Sequence, residues 1–170
     1  MLEKEKDQGD KLREQARPLL ALALHPSGYY LAAGFVDKVR IMHVLHDELR
    51  EFRTLEIKNC NRLKFSNGGQ FLALTDQKNI FVYASYTVEN LLPNNKPLKC
   101  PSAQVSQIAF NANDTLMVVV SSDGFVYRYD MLAFQKTKDG TIDRNCDFRA
   151  CLFLPDPADD CRLLVVGSDA

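Results

Sequence analysis

Ile108-Ala-Phe-Asn-Ala-Asn-Asp-Thr-Leu-Met-Val-Val-Val120, running on into Ser121-Ser-Asp-Gly-Phe-Val-Tyr-Arg-Tyr-Asp130, holds three strands and two turns in 23 residues. The first strand is apolar, the turn after it is built from Asn and Asp, and the second strand is a solid apolar run. Ser-Asp-Gly then turns the chain into a third strand that alternates and ends Tyr-Asp. Asn, Asp and Gly suit such turns because they accept left-handed backbone or bond their own main chain. Two earlier stretches obey the same grammar: Leu22-Ala-Leu-His-Pro-Ser-Gly-Tyr-Tyr-Leu-Ala-Ala-Gly34 and Leu63-Lys-Phe-Ser-Asn-Gly-Gly-Gln-Phe-Leu-Ala-Leu-Thr75. Leu24, Phe65 and Phe110 fall in register at intervals of 41 and 45 residues.

A period of about 40–45 residues with several strands per unit marks a WD-type propeller blade. The expected fold is therefore all-β, a partial WD40-type β-propeller of about three complete blades plus part of a fourth. Residues 1–18 read as a charged linker or short helix, and 19–170 as the repeat segment, divided at about 19–57, 58–99, 100–149 and an incomplete 150–170. In the first unit Leu20, Leu22 and Leu24 alternate with Ala21 and Ala23. A third strand there places Val39, Ile41 and His43 on one face and Arg40 and Met42 on the other. The stretch 47–57 is its charged outer strand, as edges often are. Pro93, Pro97 and Pro101 demand a substantial loop between Tyr86 and Gln104. Blades close in rings of four to eight, so the missing ones are expected from the same longer protein or from another chain.

Bulk properties narrow the function. The 170 residues are 46% hydrophobic and 25% charged with a net charge of −1, which is globular composition without a basic surplus to attract nucleic acid or anionic lipid. No apolar run reaches the roughly 18–20 residues of a membrane span, and Met1-Leu-Glu-Lys-Glu-Lys-Asp is not a secretory leader. Acids and bases balance over residues 1–17, with no sustained apolar stripe before Pro18.

Chemistry-bearing motifs are weak. Cys60, Cys100, Cys146, Cys151 and Cys161 are odd in number and scattered, which suits reduced, packed thiols better than a disulfide framework. His43, His46 and Asp47 make a metal-like group, but zinc wants further ligands and His25 lies in a turn. Gly68-Gly69 lacks the lysine and helix of a phosphate loop and reads as a hairpin turn. Tyr29, Tyr30, Phe35, Phe71, Phe81, Tyr83, Phe125, Tyr127 and Tyr129 fit blade packing better than base stacking. No nucleophile, base and orienting group assemble by spacing. No catalytic, cofactor-binding or metal residue is assigned, no cofactor is expected, and the protein-binding residues are left open.

Ala23-Leu-His-Pro-Ser-Gly-Tyr-Tyr-Leu-Ala-Ala-Gly-Phe-Val-Asp-Lys-Val-Arg-Ile-Met42, then Phe65-Ser-Asn-Gly-Gly-Gln-Phe-Leu-Ala73, resembles the second propeller of the WD-repeat cilia- and flagella-associated proteins, nearest to the cilia- and flagella-associated protein 57 family. The similarity continues through Asn111–Leu116, Ser122–Tyr127 and Val166–Asp169. It implies a non-enzymatic scaffold of the motile-cilium axoneme that helps dock or regulate inner-arm dyneins on doublet microtubules. Implied partners are inner-arm dynein or doublet-associated proteins and tubulin, without nucleic acid or membrane. The chain lacks that family's first propeller, its remaining blades and its coiled coil. The alternative is a general cytosolic WD40 adaptor in a multiprotein complex.

Overall fold

A computed structural model of the protein describes residues 18–100, 104–141, 146–155 and 162–169. The charged stretch read as a linker or short helix lies outside them except for Pro18, as does Cys161. Three four-stranded antiparallel sheets follow one another. They are β1 (Leu19–Leu24) to β4 (Leu49–Leu55) with β2 (Tyr30–Phe35) and β3 (Val39–Val44) between; β5 (Cys60–Phe65), β6 (Phe71–Asp76), β7 (Asn79–Ala84) and the short β8 (Leu98–Lys99); and β9 (Val105–Phe110), β10 (Leu116–Ser121), β11 (Phe125–Asp130) and β12 (Gln135–Thr141). A fourth sheet pairs β13 (Cys146–Phe153) with β14 (Leu163–Asp169). In every sheet the strands lie in chain order. The first strands β1, β5, β9 and β13 stand side by side, so the sheets radiate from them as blades do. The architecture is a partial propeller.

The core is not inside any sheet but between sheets. Leu72 and Leu74 of β6 enter the cluster shared with the first sheet, while Ala73 enters the one shared with the third. In β10, Met117 and Val119 face the second sheet, and Val118 and Val120 face the fourth. A strand buried on both faces must be apolar at consecutive positions, which is why Leu116–Val120 does not alternate. First strands do alternate: Leu63 and Phe65 pack toward the first sheet, Ile108 and Phe110 toward the second, and Cys151 and Phe153 toward the third.

By the same register Leu20, Leu22 and Leu24 should face a sheet before the first. They are 39%, 56% and 59% exposed, whereas Ala21 and Ala23 pack into the core. At the other end Leu152, Leu164 and Val166 are 48%, 43% and 49% exposed. Both end sheets of the arc therefore present apolar side chains to solvent, the outcome expected of ring segments.

The turns between third and fourth strands hold two further ties. Val88 and Phe134 adopt left-handed backbone with φ of 60° and 50°, unusual for such side chains. Each is held there by packing against a core cluster, and the Phe134 ring meets Phe71 of the preceding sheet at 6.2 Å. Tyr129 stands at the large-ring position before Asp130, is 1% exposed, and its hydroxyl donates to the Lys99 carbonyl of the second sheet at 3.3 Å.

Two strand leucines should thus behave oppositely in this chain. Leu74→Ala should cost about 2–5 kcal/mol by emptying an inter-sheet core, and Leu22→Ala no more than about 0.5 kcal/mol. Denaturant unfolding of the two variants measures the difference.

Candidate functional site

Two features of the arc gather polar chemistry: the row of turns between first and second strands, and the groove along the first strands. In the opening turn the His25 ring is 2% exposed. Its Nε2 lies 2.8 Å from the Gly69 carbonyl, so this nitrogen carries the hydrogen and donates. Nδ1 is then the acceptor, and it receives the Ser27 amide at 3.1 Å and stands 2.7 Å from the Ser27 hydroxyl. Phe65, Tyr86 and Tyr30 surround the ring edge-on at 5.0, 5.4 and 5.6 Å.

Gly69 has φ +77°, and a Cβ there would sit 2.5 Å from His25 Nε2, so glycine is required on both counts. The second turn is gripped from its other side as well. Asp114 accepts the Asn67 amide at 2.9 Å and the Gly68 amide at 2.7 Å. The Asn67 side chain in return donates to the carbonyls of Phe110 at 3.2 Å and Asn111 at 2.9 Å. Each bond spans about one repeat in sequence, and together they link the three turns in a row. Unlike its neighbours in the aromatic set, Tyr29 stands 68% exposed beside them.

Along the first strands runs a groove. One part, of about 410 Å³, is lined by Lys64, Phe110, Phe153 and Pro155 among others. The other, of about 350 Å³, is lined by Arg62, Lys64, Gln107, Arg149 and neighbouring residues. Arg62 and Lys64 occupy the face of β5 opposite Leu63 and Phe65, which is why they point away from the first sheet. Arg62 Nε donates to the Ser106 carbonyl and Nη1 to the Asn61 carbonyl at 2.8 Å, pinning the guanidinium across to β9. Gln107 accepts the Cys151 amide at 3.4 Å and so ties β9 to β13.

The residues weighed in the sequence for chemistry take other places. His43 packs on Phe52 at 4.7 Å and Tyr30 at 5.0 Å, while His46 is exposed. Among the described residues no three His, Cys, Asp or Glu side chains could hold a metal. Cys60, Cys100 and Cys151 are buried, and Cys146 is half-buried. Burial pushes the thiols of Cys60 and Cys151 up to about 12, the second despite the opposing charge of Lys64. Asp130 is held below the usual carboxylate range by the amides of Ala133 and Leu132, which it accepts as it closes its turn. Sequence reading places His25 merely in a turn and passes over Asp114, Arg62 and Lys64. Only the interval near one repeat length, separating His25 from Gly69 and Asn67 from Asp114, hints at contacts between turns.

Residues 94–130 match the WD domain, G-beta repeat family. A cilia- and flagella-associated protein 57 of Mus musculus is 29% identical over 157 residues, which is 92% of this chain and 12% of that protein. A cilia- and flagella-associated protein 57 A of Tetrahymena thermophila is 34% identical over 134 residues, 78% of this chain and 10% of that one. The chain thus spans about a tenth of the length of these relatives. The solved RRP9 WD40 repeats superpose with a TM-score of 0.68 at 15% identity, over 81% of this chain and 42% of theirs, a likeness of fold alone. Repeats, sheets and turns together define a segment of a WD-repeat β-propeller. The particular kind is a WD-repeat protein similar to cilia- and flagella-associated protein 57.

The turn row can be dissected by a double-mutant cycle. His25→Ala and Gly69→Ala should each destabilise the chain by more than about 1 kcal/mol, and the double variant by less than their sum, because both break one contact. Thermal or denaturant unfolding of all three reads the coupling. Separately, Cys60 and Cys151 should resist maleimide in the folded chain at neutral pH and react on denaturation, as mass mapping of labelled peptides would reveal.

Proposed function

We propose that this chain acts as a non-enzymatic scaffold of the motile-cilium axoneme, contributing propeller blades to an assembly that helps dock or regulate inner-arm dyneins on doublet microtubules. The observation that carries this reading is the similarity over 92% of the chain to a relative whose name places it with cilia and flagella. The architecture is consistent with it. Blades fixed to one another by apolar cores and turn-to-turn bonds offer rigid loops and rims, which is how propellers bind other proteins. The buried high-pKa thiols and the packed His43 are better suited to a structural role than to turnover. On this reading the neighbours are inner-arm dynein, doublet-associated proteins and tubulin, and the location is the axonemal cytoskeleton.

The test is endogenous tagging in motile-ciliated cells, followed by detergent extraction of isolated axonemes and proximity labelling. Retention in the extracted axoneme, with inner-arm dynein subunits among the labelled neighbours, is the expected result. Signal confined to the cell body would sink the ciliary reading, and axonemal signal without dynein neighbours would sink the dynein role alone.

A further inference from the structure

We propose that the groove along β5, β9 and β13 receives an acidic protein segment, whose carboxylates meet Arg62 and Lys64 with Arg149 at the flank. Among the described residues the smaller part of the groove is lined by three cationic side chains and no acidic one, although the whole chain carries a net charge of only −1. The cluster is therefore local, and it converges from strands far apart in sequence.

The three charges are not equally available. Arg149 pairs with Asp147 at 2.7 Å. Among the described residues Arg62 donates to the two carbonyls that hold it in place through Nε and Nη1, which leaves Nη2 for a ligand and removes much of the ordering cost of binding. Lys64 has no ion pair among the described residues, and it stands near enough to β13 for its charge to act on the Cys151 thiol. Two positive groups are thus presented at the mouth of a concave, partly apolar space.

The other part of the groove adds the partly exposed Phe153, Leu154 and Pro155 beside Lys64. A fitting ligand alternates carboxylates with apolar side chains. Nucleic acid fits less well, because among the described residues no aromatic ring lines the part that holds Arg62 and Arg149, and the rings beside Lys64 are packed, Phe110 at 4% exposure and Phe153 against the core of the fourth sheet, so no face is free to stack a base. The inference rests on the scaffold reading only in taking the partner to be a protein.

The experiment is fluorescence anisotropy on the full 170-residue chain with a labelled peptide of repeated Glu-Glu-Leu triplets, its Gln-Gln-Leu counterpart and oligothymidine. The Glu peptide should bind, more tightly at low salt, and the Gln peptide and oligothymidine should bind at least about tenfold more weakly. Arg62→Glu with Lys64→Glu should raise Kd by about tenfold or more, while Lys58→Glu with Lys96→Glu, outside the groove, should leave it within about twofold. Because Arg62 also ties β5 to β9, Lys64→Glu alone is the second variant, expected to weaken binding by about threefold with an unchanged melting temperature. Binding by oligothymidine equal to that of the Glu peptide, equal losses in both double variants, or no binding of the Glu peptide at low salt would each overturn the proposal. The outcome is separable from that of the ciliary reading: a chain that binds the peptide yet stays in the cell body leaves the groove standing, and an axonemal chain that ignores the peptide leaves the location standing.

Discussion

The burial of second strands on both faces is the constraint from which the other features follow. When Leu72 and Leu74 serve one core and Ala73 the next, a sheet is stable only between two others. Its stability is then lent by its neighbours, and no single blade holds a core of its own. That is the quasi-one-dimensional logic of repeat proteins, in which each unit is completed by the next. It accounts for the apolar runs of β6 and β10. It also accounts for the exposed leucines of β1, which have the chemistry of core residues and the surroundings of surface ones.

Apolar contact fixes the distance between sheets but is poor at fixing their rotation, since it lacks direction. The turn row supplies direction. His25 donating to Gly69, and Asp114 accepting the Asn67 and Gly68 amides, are oriented bonds with short reach. They sit at the ends of the first strands, beside the axis about which blades would splay. A rigid angle there keeps the first strands parallel to one another, and only with that spacing held can Arg62 reach the Ser106 carbonyl across β5 and β9.

Much of this is legible in the sequence, and the division between what is and is not has a physical basis. Alternation, turn residues and the 41- and 45-residue intervals expose the strands and their repetition because those signals are local or periodic. The faces of β3 and the packed ring of Tyr129 follow from the same rules. What the rules do not contain is a partner one repeat away. A histidine after Leu24 and before proline is an ordinary turn residue until Gly69 is brought to its Nε2, and Asp114 is one more turn acid until two amides reach it. Arg62 and Lys64 can be assigned to the face opposite the core by parity alone. Their convergence with Arg149 cannot, since it depends on how the first strands stand together.

The groove and the exposed end faces are two consequences of one geometry, yet they call for different partners. An apolar stripe such as Leu20, Leu22 and Leu24 gains free energy from any surface that excludes water, and its shape, that of a blade face, selects another blade. The groove is different. Its cations already have water, so a ligand gains there only by presenting carboxylates at matched positions and by filling the apolar part at the same time. Electrostatic complementarity of that kind governs selectivity and association rate more than total affinity. Blades joined by apolar faces around an axis lined by charge would keep assembly and the proposed recognition on separate surfaces, so that on this reading a change at Lys64 would alter what is bound without altering how the sheets pack.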